Sequence, residues 1–495
     1  MRQPYSPQRR LDAVAIENVE LNLNCRDEII PILVALQYVY SKPEFRDEIL
    51  ELIAQDVNDK TRRDIGRKGL DDWQILVLAA VRLGCDLDYD KLQDLAEQHR
   101  ALRHIMGIGD WDNNDDDNNK KTSLTARRIE QTLCRLQPET IAKISQAIVA
   151  EGHQLDPEAA KTVRVDSFVV ETNIHYPTES SVIFDGLRKI LPLCASIAGV
   201  CGLSGWRQHE HLLRKIKNIA STISRLSSSK APRSEKQMKK DYRKLLKKAE
   251  KILKRAKQLI YQVQDKEVDI ATLCKIADLQ MFIKLTEQVC GTAYHRLATG
   301  ESAPNEDKLF SIFEPHTQLY RRGKAAKPNQ FGRLTMVYED GAGFITHYHV
   351  MPRNAQDADV VVPQTRRVQE LHDGKIESAS FDRGFDSPEN EEQLLEILQH
   401  PCLPKRAPGQ FAEQQKNASV RFRAARQRHP GIESAIGALQ SGNGLSRCRD
   451  RGEIGLERYI ALGILGRNLH VLGKLLIQQR APTAKAATSF RKAAA

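Results

Sequence analysis

Apolar residues recur at helical spacing through the first third of the chain. Stretches such as WQILVLAAVRLG (73–84), LQDLAEQH (92–99) and IAKISQAIVAEG (141–152) put their apolar residues on one helix face. From residue 160 the pattern changes to β-branched runs, beginning with TVRVDSFVV (162–170). We therefore predict a helical N-terminal domain over residues 1–155, with a sheet beginning after it.

Strand patterns return later in the chain. The runs are RLTMVYE (333–339), GFITHYHVM (343–351), KIESASFD (375–382) and CLPKR (402–406), and helical patterns lie between them and over 186–325. This succession is typical of an α/β (α+β) fold in which an RNase H-like mixed sheet is interrupted by a helical insertion. We predict a catalytic domain from 156–185 plus 326–476, a helical insertion at 186–325, and a flexible basic tail at 477–495. GDWDNNDDDNNKK (109–121) is predicted to be a mobile loop.

Most of the chain's excess positive charge lies in one segment of the predicted helical insertion. The chain carries a net charge of +11, and residues 230–257 hold 13 Lys and Arg against three acids. Apolar positions in the same segment follow a helical stripe from Tyr242 to Val263, and a second stripe runs from Leu212 to Leu226. We predict a helical hairpin with a basic outer face. A solvated charged face is the alternative, but unbalanced positive charge favours a polyanion such as DNA.

Two acids end predicted strands, Asp166 in the first and Asp382 in the fourth. These strands are central neighbours in an RNase H-like sheet, so both carboxylates would lie at one edge. A third acid on the following helix would complete a set that suits two divalent cations about 4 Å apart. Mg²⁺ is the expected ion, with Mn²⁺ as a substitute, because hard cations prefer carboxylate and water ligands.

Four motifs resemble bacterial insertion-sequence DDE transposases of the ISNCY type. VRVDSFVVETNIHYPTESSVIFDGLR (163–188) is similar to their first-Asp motif, and IFEPHTQLYRRGKAAKPNQFG (312–332) to the stretch before their second strand. SFDRGFDSPEN (380–390) resembles their second-Asp motif, and residues 429–473, beginning HPGIES, resemble their Glu-bearing region. The resemblance covers most of residues 65–475.

The resemblance implies a catalytic, metal-binding triad of Asp166, Asp382 and Glu433. Asp386 is a rival for the second position, and Glu453 and Glu457 are rivals for the third. The Tyr, Arg and Lys that flank the Glu in some relatives are replaced by Arg426, His429 and Gln440. Contacts to DNA are therefore expected from other basic residues, namely Arg383, Lys405, Arg406, Arg426 and Arg447, and from the hairpin residues Lys240, Arg243, Lys244, Lys247, Lys248 and Lys251.

The implied activity is binding of terminal inverted repeats, metal-dependent DNA cleavage and strand transfer. Its partners would be double-stranded DNA, as ends and as target, and further copies of the chain in a homodimer or higher oligomer, with no membrane. A two-metal nuclease or resolvase without strand transfer and a domesticated, non-catalytic DNA-binding protein are the alternatives. Nine scattered cysteines without a CxxC pair indicate a reducing cytoplasm. The resemblance implies that this is a bacterial cytoplasm and that the protein is associated with the nucleoid.

Overall fold

The computed structural model describes residues 13–58, 69–109, 124–229, 231–321 and 328–493, with side chains as far as 480. The acidic loop predicted at 109–121 lies outside these ranges beyond Gly109. The chain divides into two compact units, Met1–Asn173 with Leu334–Ala495 and Ile174–Arg333. The predicted insertion at 186–325 therefore falls inside the second unit.

The first unit begins with helices, as the periodicity predicts. Asp71 starts the third of them: its carboxylate accepts a hydrogen bond from the backbone N–H of Gln74, and its own backbone N–H donates to the Gln74 side-chain oxygen. The predicted helices at 73–84, 92–99 and 141–152 are confirmed as parts of α3, α4 and α7. The described helices here are α1 Ile29–Ser41, α2 Pro43–Asn58, α3 Asp72–Gly84, α4 Tyr89–Gln98, α5 Arg100–Ile105, α6 Ala126–Leu133 and α7 Pro138–Leu155.

The last helix, α17 (Glu453–Ala493), forms one hydrophobic core with α1, α3 and α7. Two glycines permit its close approach, since an added Cβ at Gly466 would lie 2.5 Å from the Gly84 nitrogen, and one at Gly473 only 1.8 Å from the Pro31 oxygen. Within the described chain, Glu453–Arg480 is long and apolar enough to cross a membrane, but 72% of its most apolar window is buried in the protein. That burial is typical of a core helix. The tail predicted at 477–495 continues this helix as far as Ala493.

The sheet has β1 (Thr162–Glu171) between the strands that follow the insertion. Its order in the first unit is β3-β1-β5-β6, and β4 pairs with β3. β4 is antiparallel to β3, whereas β5 is parallel to both β1 and β6. The strands are β3 Gln330–Asp340, β4 Ile345–Val350, β5 Ser378–Ser380 and β6 His400–Cys402. The predicted mixed sheet is thus present, and the first and fourth predicted strands are neighbours.

Side chains close the turn and the edge of this sheet. The Asp340 carboxylate accepts hydrogen bonds from the backbone N–H groups of Ala342, Gly343 and Phe344, which fixes the β3–β4 turn. Asn468 of α17 accepts from the Ile345 N–H and donates to the Ile345 carbonyl, both within 2.9 Å. This amide therefore satisfies backbone groups that an edge strand would otherwise leave unpaired.

The remaining elements of the first unit surround β5 and β6. Ser387 caps the helix after β5 by accepting from the Asn390 N–H, and Pro388 is its first residue, as predicted. The strand predicted at 402–406 is wrong in position, because β6 ends at Cys402 and Pro404 follows it. The helices are α12 Asp357–Leu371, α13 Pro388–Ile397, α14 Pro408–Asn417, α15 Val420–Arg428 and α16 Gly431–Ser441.

The second unit is mainly helical and contains the predicted hairpin. α9 (His209–Ser227) and α10 (Pro232–Val263) share a separate hydrophobic core with α8 (Glu179–Val200) and α11 (Ile270–Thr299). The apolar stripe of α10 is buried from Tyr242 to Val263. A short strand, β2 (Gln318–Tyr320), pairs antiparallel with residues 330–332. Its three residues are too few to show an alternating pattern in the sequence.

Candidate active site

The two candidate aspartates follow paired positions on neighbouring parallel strands. β1 and β5 are in register with Thr162 opposite Ser378 and Arg164 opposite Ser380. Asp382 keeps an extended backbone, with φ −81° and ψ 166°. If this register continued for two more residues, Asp166 would lie beside Asp382 on one face, because side chains alternate along a strand and neighbouring strands lie about 4.8 Å apart. Asp166 is partly buried and Asp382 is exposed.

Glu433 lies in the first turn of α16 and is exposed. His429, one helical turn earlier, contacts Ser380 of β5, with 3.1 Å between its Nδ1 and the Ser380 Oγ. Burial lowers the pKa of His429 to about 4, so the ring is neutral at pH 7, although the negative charge of Asp382 opposes this shift. The start of α16 therefore lies beside the end of β5, two residues before Asp382.

Metal-binding capacity is limited to pairs of candidate ligands in the part of the chain that the structure describes. No group of three or more His, Cys, Asp or Glu side chains there is arranged to hold a metal ion. Asp166, Asp382 and Glu433 are therefore not gathered into a three-ligand set. Asp166 was expected at the end of the first strand but lies in the middle of β1, which continues to Glu171 because the β-branched run continues past it. The two aspartates still fit Mg²⁺ in donor type, since both offer carboxylate oxygens.

A buried charge cluster lies next to the aspartates. The Arg164 guanidinium, two residues before Asp166, pairs with Glu339 of β3 at 2.6 Å, and the Glu339 side chain is only 4% exposed. Burial raises the pKa of Glu339, against the lowering effect of Arg164 and of Arg467 on α17. Burial also lowers the pKa of Arg467. This part of the sheet therefore holds positive charge on the same strand as Asp166.

The basic residues predicted around the site differ in their surroundings. The Arg383 guanidinium lies 3.9 Å from the centre of the Phe411 ring. Lys405 forms ion pairs with Glu391 and Asp386 at 2.5 and 3.5 Å, and Arg447 faces Glu171 at 3.6 Å. The positive charges of Lys405 and Arg447 are therefore already compensated by acids.

Arg406 and Arg426 have less compensation. The Arg406 side chain is exposed, and its backbone N–H donates to Asp386. The Nη1 atom of Arg426 is buried without a hydrogen-bond partner in the described chain. Arg426 also lowers the pKa of His429 through its charge, which indicates that its guanidinium lies near the turn before α16. An unsatisfied buried guanidinium nitrogen is costly, so a ligand oxygen would be a favourable partner for it.

The predicted basic face of α10 is exposed in the second unit. Lys240, Arg243, Lys247 and Lys251 are exposed, and Lys248 is partly buried. Lys244 forms an ion pair with Asp241 at 3.0 Å. Two further α10 lysines, Lys239 and Lys257, pair with Glu235 and Glu287. The face thus contains both acid-paired lysines and exposed cations at helical spacing.

Residues 306–469 match the family model described as the transposase DDE domain. This stretch is similar to a transposase DDE domain. The match includes Asp382 and Glu433, and it begins after the helices of the second unit, so Asp166 lies ahead of it. No curated protein and no solved structure matched the chain. The resemblance inferred from the motifs is therefore confirmed at the level of the DDE domain.

Sequence reasoning missed the residues that contact the start of α16. These residues are Arg164 in the β-branched run of β1 and Ser380 at the end of β5. The sequence did contain one signal for these residues. Each precedes a candidate aspartate by two residues, and side chains two apart on a strand share a face. The spacing does not reveal which elements Arg164 contacts, because α15 and α16 lie roughly 260 residues after β1 in the chain.

Proposed function

We propose that this protein is a transposase that binds the terminal inverted repeats of an insertion sequence and catalyses metal-dependent DNA cleavage and strand transfer. The observation that carries the proposal is the β1–β5 register, extended to Asp166 and Asp382, in a chain that is similar to a transposase DDE domain over residues 306–469. The parallel β1–β5 pair beside an antiparallel β3–β4 pair supports an RNase H-like sheet.

In this proposal Asp166 and Asp382 hold the divalent cations, and Glu433 joins them when DNA is bound. Cations held there would activate the attacking oxygen and stabilise the leaving oxygen of a phosphodiester. The chain itself supplies orientation. Arg426 and Arg406 hold non-bridging phosphate oxygens, since the first has an unsatisfied buried nitrogen and the second an exposed side chain. The neutral ring of His429 adds no charge beside the carboxylates.

The exposed cations of α10 would bind the phosphate backbone of the element ends. Because two ends must be held together for transposition, we expect a homodimer or higher oligomer on DNA. Light scattering of the protein with and without end DNA measures this directly. The outcome expected is a complex with at least two protein copies per pair of ends.

The test uses DNA that flanks the gene, incubated with the full chain and Mg²⁺ or Mn²⁺, with nicks mapped and joined products sequenced. Asp166→Asn, Asp382→Asn and Glu433→Gln should each reduce cleavage by at least about 10³-fold, because each removes a ligand charge while keeping the side-chain shape. DNA affinity should change little. Full cleavage by any one variant would remove that residue from the site.

Asp386→Asn is the matched control, being the same substitution in the same loop. Its carboxylate receives the Arg406 N–H and faces Lys405, so it is occupied by the protein. We expect it to keep cleavage within about tenfold of wild type, whereas loss equal to Asp382→Asn would assign Asp386 as the second acid. Cleavage without joined products would instead favour a two-metal nuclease or resolvase.

A further inference from the structure

The turn that leads into α16 is attached to two neighbouring strands. Arg164 of β1 donates from Nη1 to the Arg428 carbonyl at 3.3 Å, while its Nη2 pairs with buried Glu339. His429, the next residue of the turn, contacts the Ser380 hydroxyl of β5. Both His429 and Ser380 are buried, at 6% and 3% exposure. The start of the helix is thus held from β1 and from β5 at once.

These attachment points share a face with the two aspartates. Arg164 and Ser380 are opposite each other in the register, and Asp166 and Asp382 come two residues later on each strand. Side chains two apart on a strand point the same way. The helix start therefore rests on one row of the sheet face, and the aspartates form the next row. Glu433 lies one turn after His429, which is about 6 Å along the helix axis.

Gly431, the first residue of α16, leaves room for the Arg164 guanidinium. A Cβ at this position would lie 2.0 Å from the Arg164 Nη1 and 3.1 Å from its Cζ. Since no side chain tolerates that approach, an alanine would displace the guanidinium from the Arg428 carbonyl. The backbone of Gly431 needs no left-handed conformation, because its φ is not among the positive values in the described chain. Glycine is therefore required here to leave space for the Arg164 guanidinium, and not to allow an unusual backbone conformation.

We propose that Arg164 is a positioning residue that sets Glu433 against Asp166 and Asp382, acting through Gly431 and the Arg428–His429 turn. The inference rests on the proposed function, because it assigns Glu433 a place in the reaction. Arg164 can do this because one fork of its guanidinium is fixed by a buried carboxylate and the other reaches the turn. A displacement of about 1 Å in a catalytic group can cost about 100-fold in rate, so a small shift of α16 is sufficient.

The experiment is Gly431→Ala in the full chain, with Gly437→Ala as the matched control. Gly437 lies in the same helix, and nothing comes within 4 Å of an added Cβ there. We expect Gly431→Ala to lower kcat for cleavage of the flanking DNA about 10- to 100-fold, with KM and the melting temperature unchanged. Gly437→Ala should keep the wild-type kcat. A purely structural role would lower the melting temperature together with the rate.

Arg164→Gln supplies the second measurement. This variant should also lower kcat, and adding Gly431→Ala to it should cause no further loss, because the guanidinium that the methyl group displaces is already gone. Independent, additive losses would overturn the proposal, as would a wild-type kcat in Gly431→Ala while Asp382→Asn is inactive. If Asp382→Asn cleaves as well as wild type, the proposed function itself fails and the positioning role fails with it.

Discussion

The exposed cations of α10 offer a test in which the position of the removed charges differs between two variants while the number of charges removed is the same. Lys240, Lys247 and Lys251 are exposed and have no ion pair in the described chain, and their spacing of seven and four residues keeps them on one helix face. They span about 16 Å of that face. Replacing all three with Gln retains helix propensity and leaves the buried stripe intact.

The matched control replaces Lys239, Lys244 and Lys257 with Gln. Each of these lysines pairs with an acid, so each is less available to phosphate. Both triple variants lose three positive charges from the same helix. Any effect of overall charge is therefore equal in the two, and only direct phosphate contact distinguishes them.

The magnitude follows from counterion release. Each phosphate contact contributes about 0.9 to the slope of log K against log salt, so three lost contacts reduce the slope by at most about 2.7. At about 0.1 M salt this corresponds to a loss of up to a few hundred-fold in affinity. We expect the slope to fall by about 2 to 2.7 units for the exposed triple and by less than about one for the paired triple, on flanking and random DNA alike.

The assay is fluorescence anisotropy of labelled duplexes titrated with the full chain at several salt concentrations. Equal slopes for the two variants would show that net charge, and not this face, attracts the DNA. Unchanged affinity and slope in the exposed triple would mean that the face is merely solvated. Melting temperatures of both variants provide the check that the helices remain folded.

Two further predictions concern stability and are measured by denaturant unfolding. Gly473→Ala should destabilise the protein by about 1–3 kcal/mol, because its methyl group would clash with the Pro31 backbone. Gly437→Ala should instead stabilise the protein by up to about 1 kcal/mol through helix propensity. Equal effects of the two substitutions would contradict the close packing of α1 against α17. Stability should also fall between pH 7 and pH 5, because burial lowers the pKa of His347, His372, His429 and His470 to about 4, so the unfolded chain binds protons that the folded chain does not. The loss should be about 1–2 kcal/mol per histidine and smaller in His372→Gln, and a pH-independent stability would refute it.

The elements that were predictable from the sequence are those with a long, regular pattern. β1 and the α9–α10 hairpin were found because their apolar residues alternate or recur every three to four positions. β2 has three residues and offers too few positions for any period. The order of the later strands agreed with expectation, but the strand predicted at 402–406 lies too late, since the observed β6 spans His400–Cys402.

Only part of the candidate site could likewise be predicted from the sequence. Motifs identified Asp166, Asp382 and Glu433, whose roles stay predictions, since residue type and spacing carry that information. Which cations are already paired cannot be read from spacing, because Lys405 meets Glu391 only through the packing of α13 beside β6. The Arg164–Gly431 contact likewise joins residues far apart in the chain.

The position of β1 ahead of the long helical unit has a consequence for synthesis on the ribosome. Its first partner, β3, emerges roughly 160 residues later, which at about 5–20 residues per second is a delay of roughly 8–32 seconds. During that interval the four helices α8 to α11 can close their own core, while the β-branched strand β1 has no neighbouring strand to pair with. The nascent chain therefore exposes unpaired, aggregation-prone strand edges throughout this interval, and chaperones are expected to bind mainly at β1.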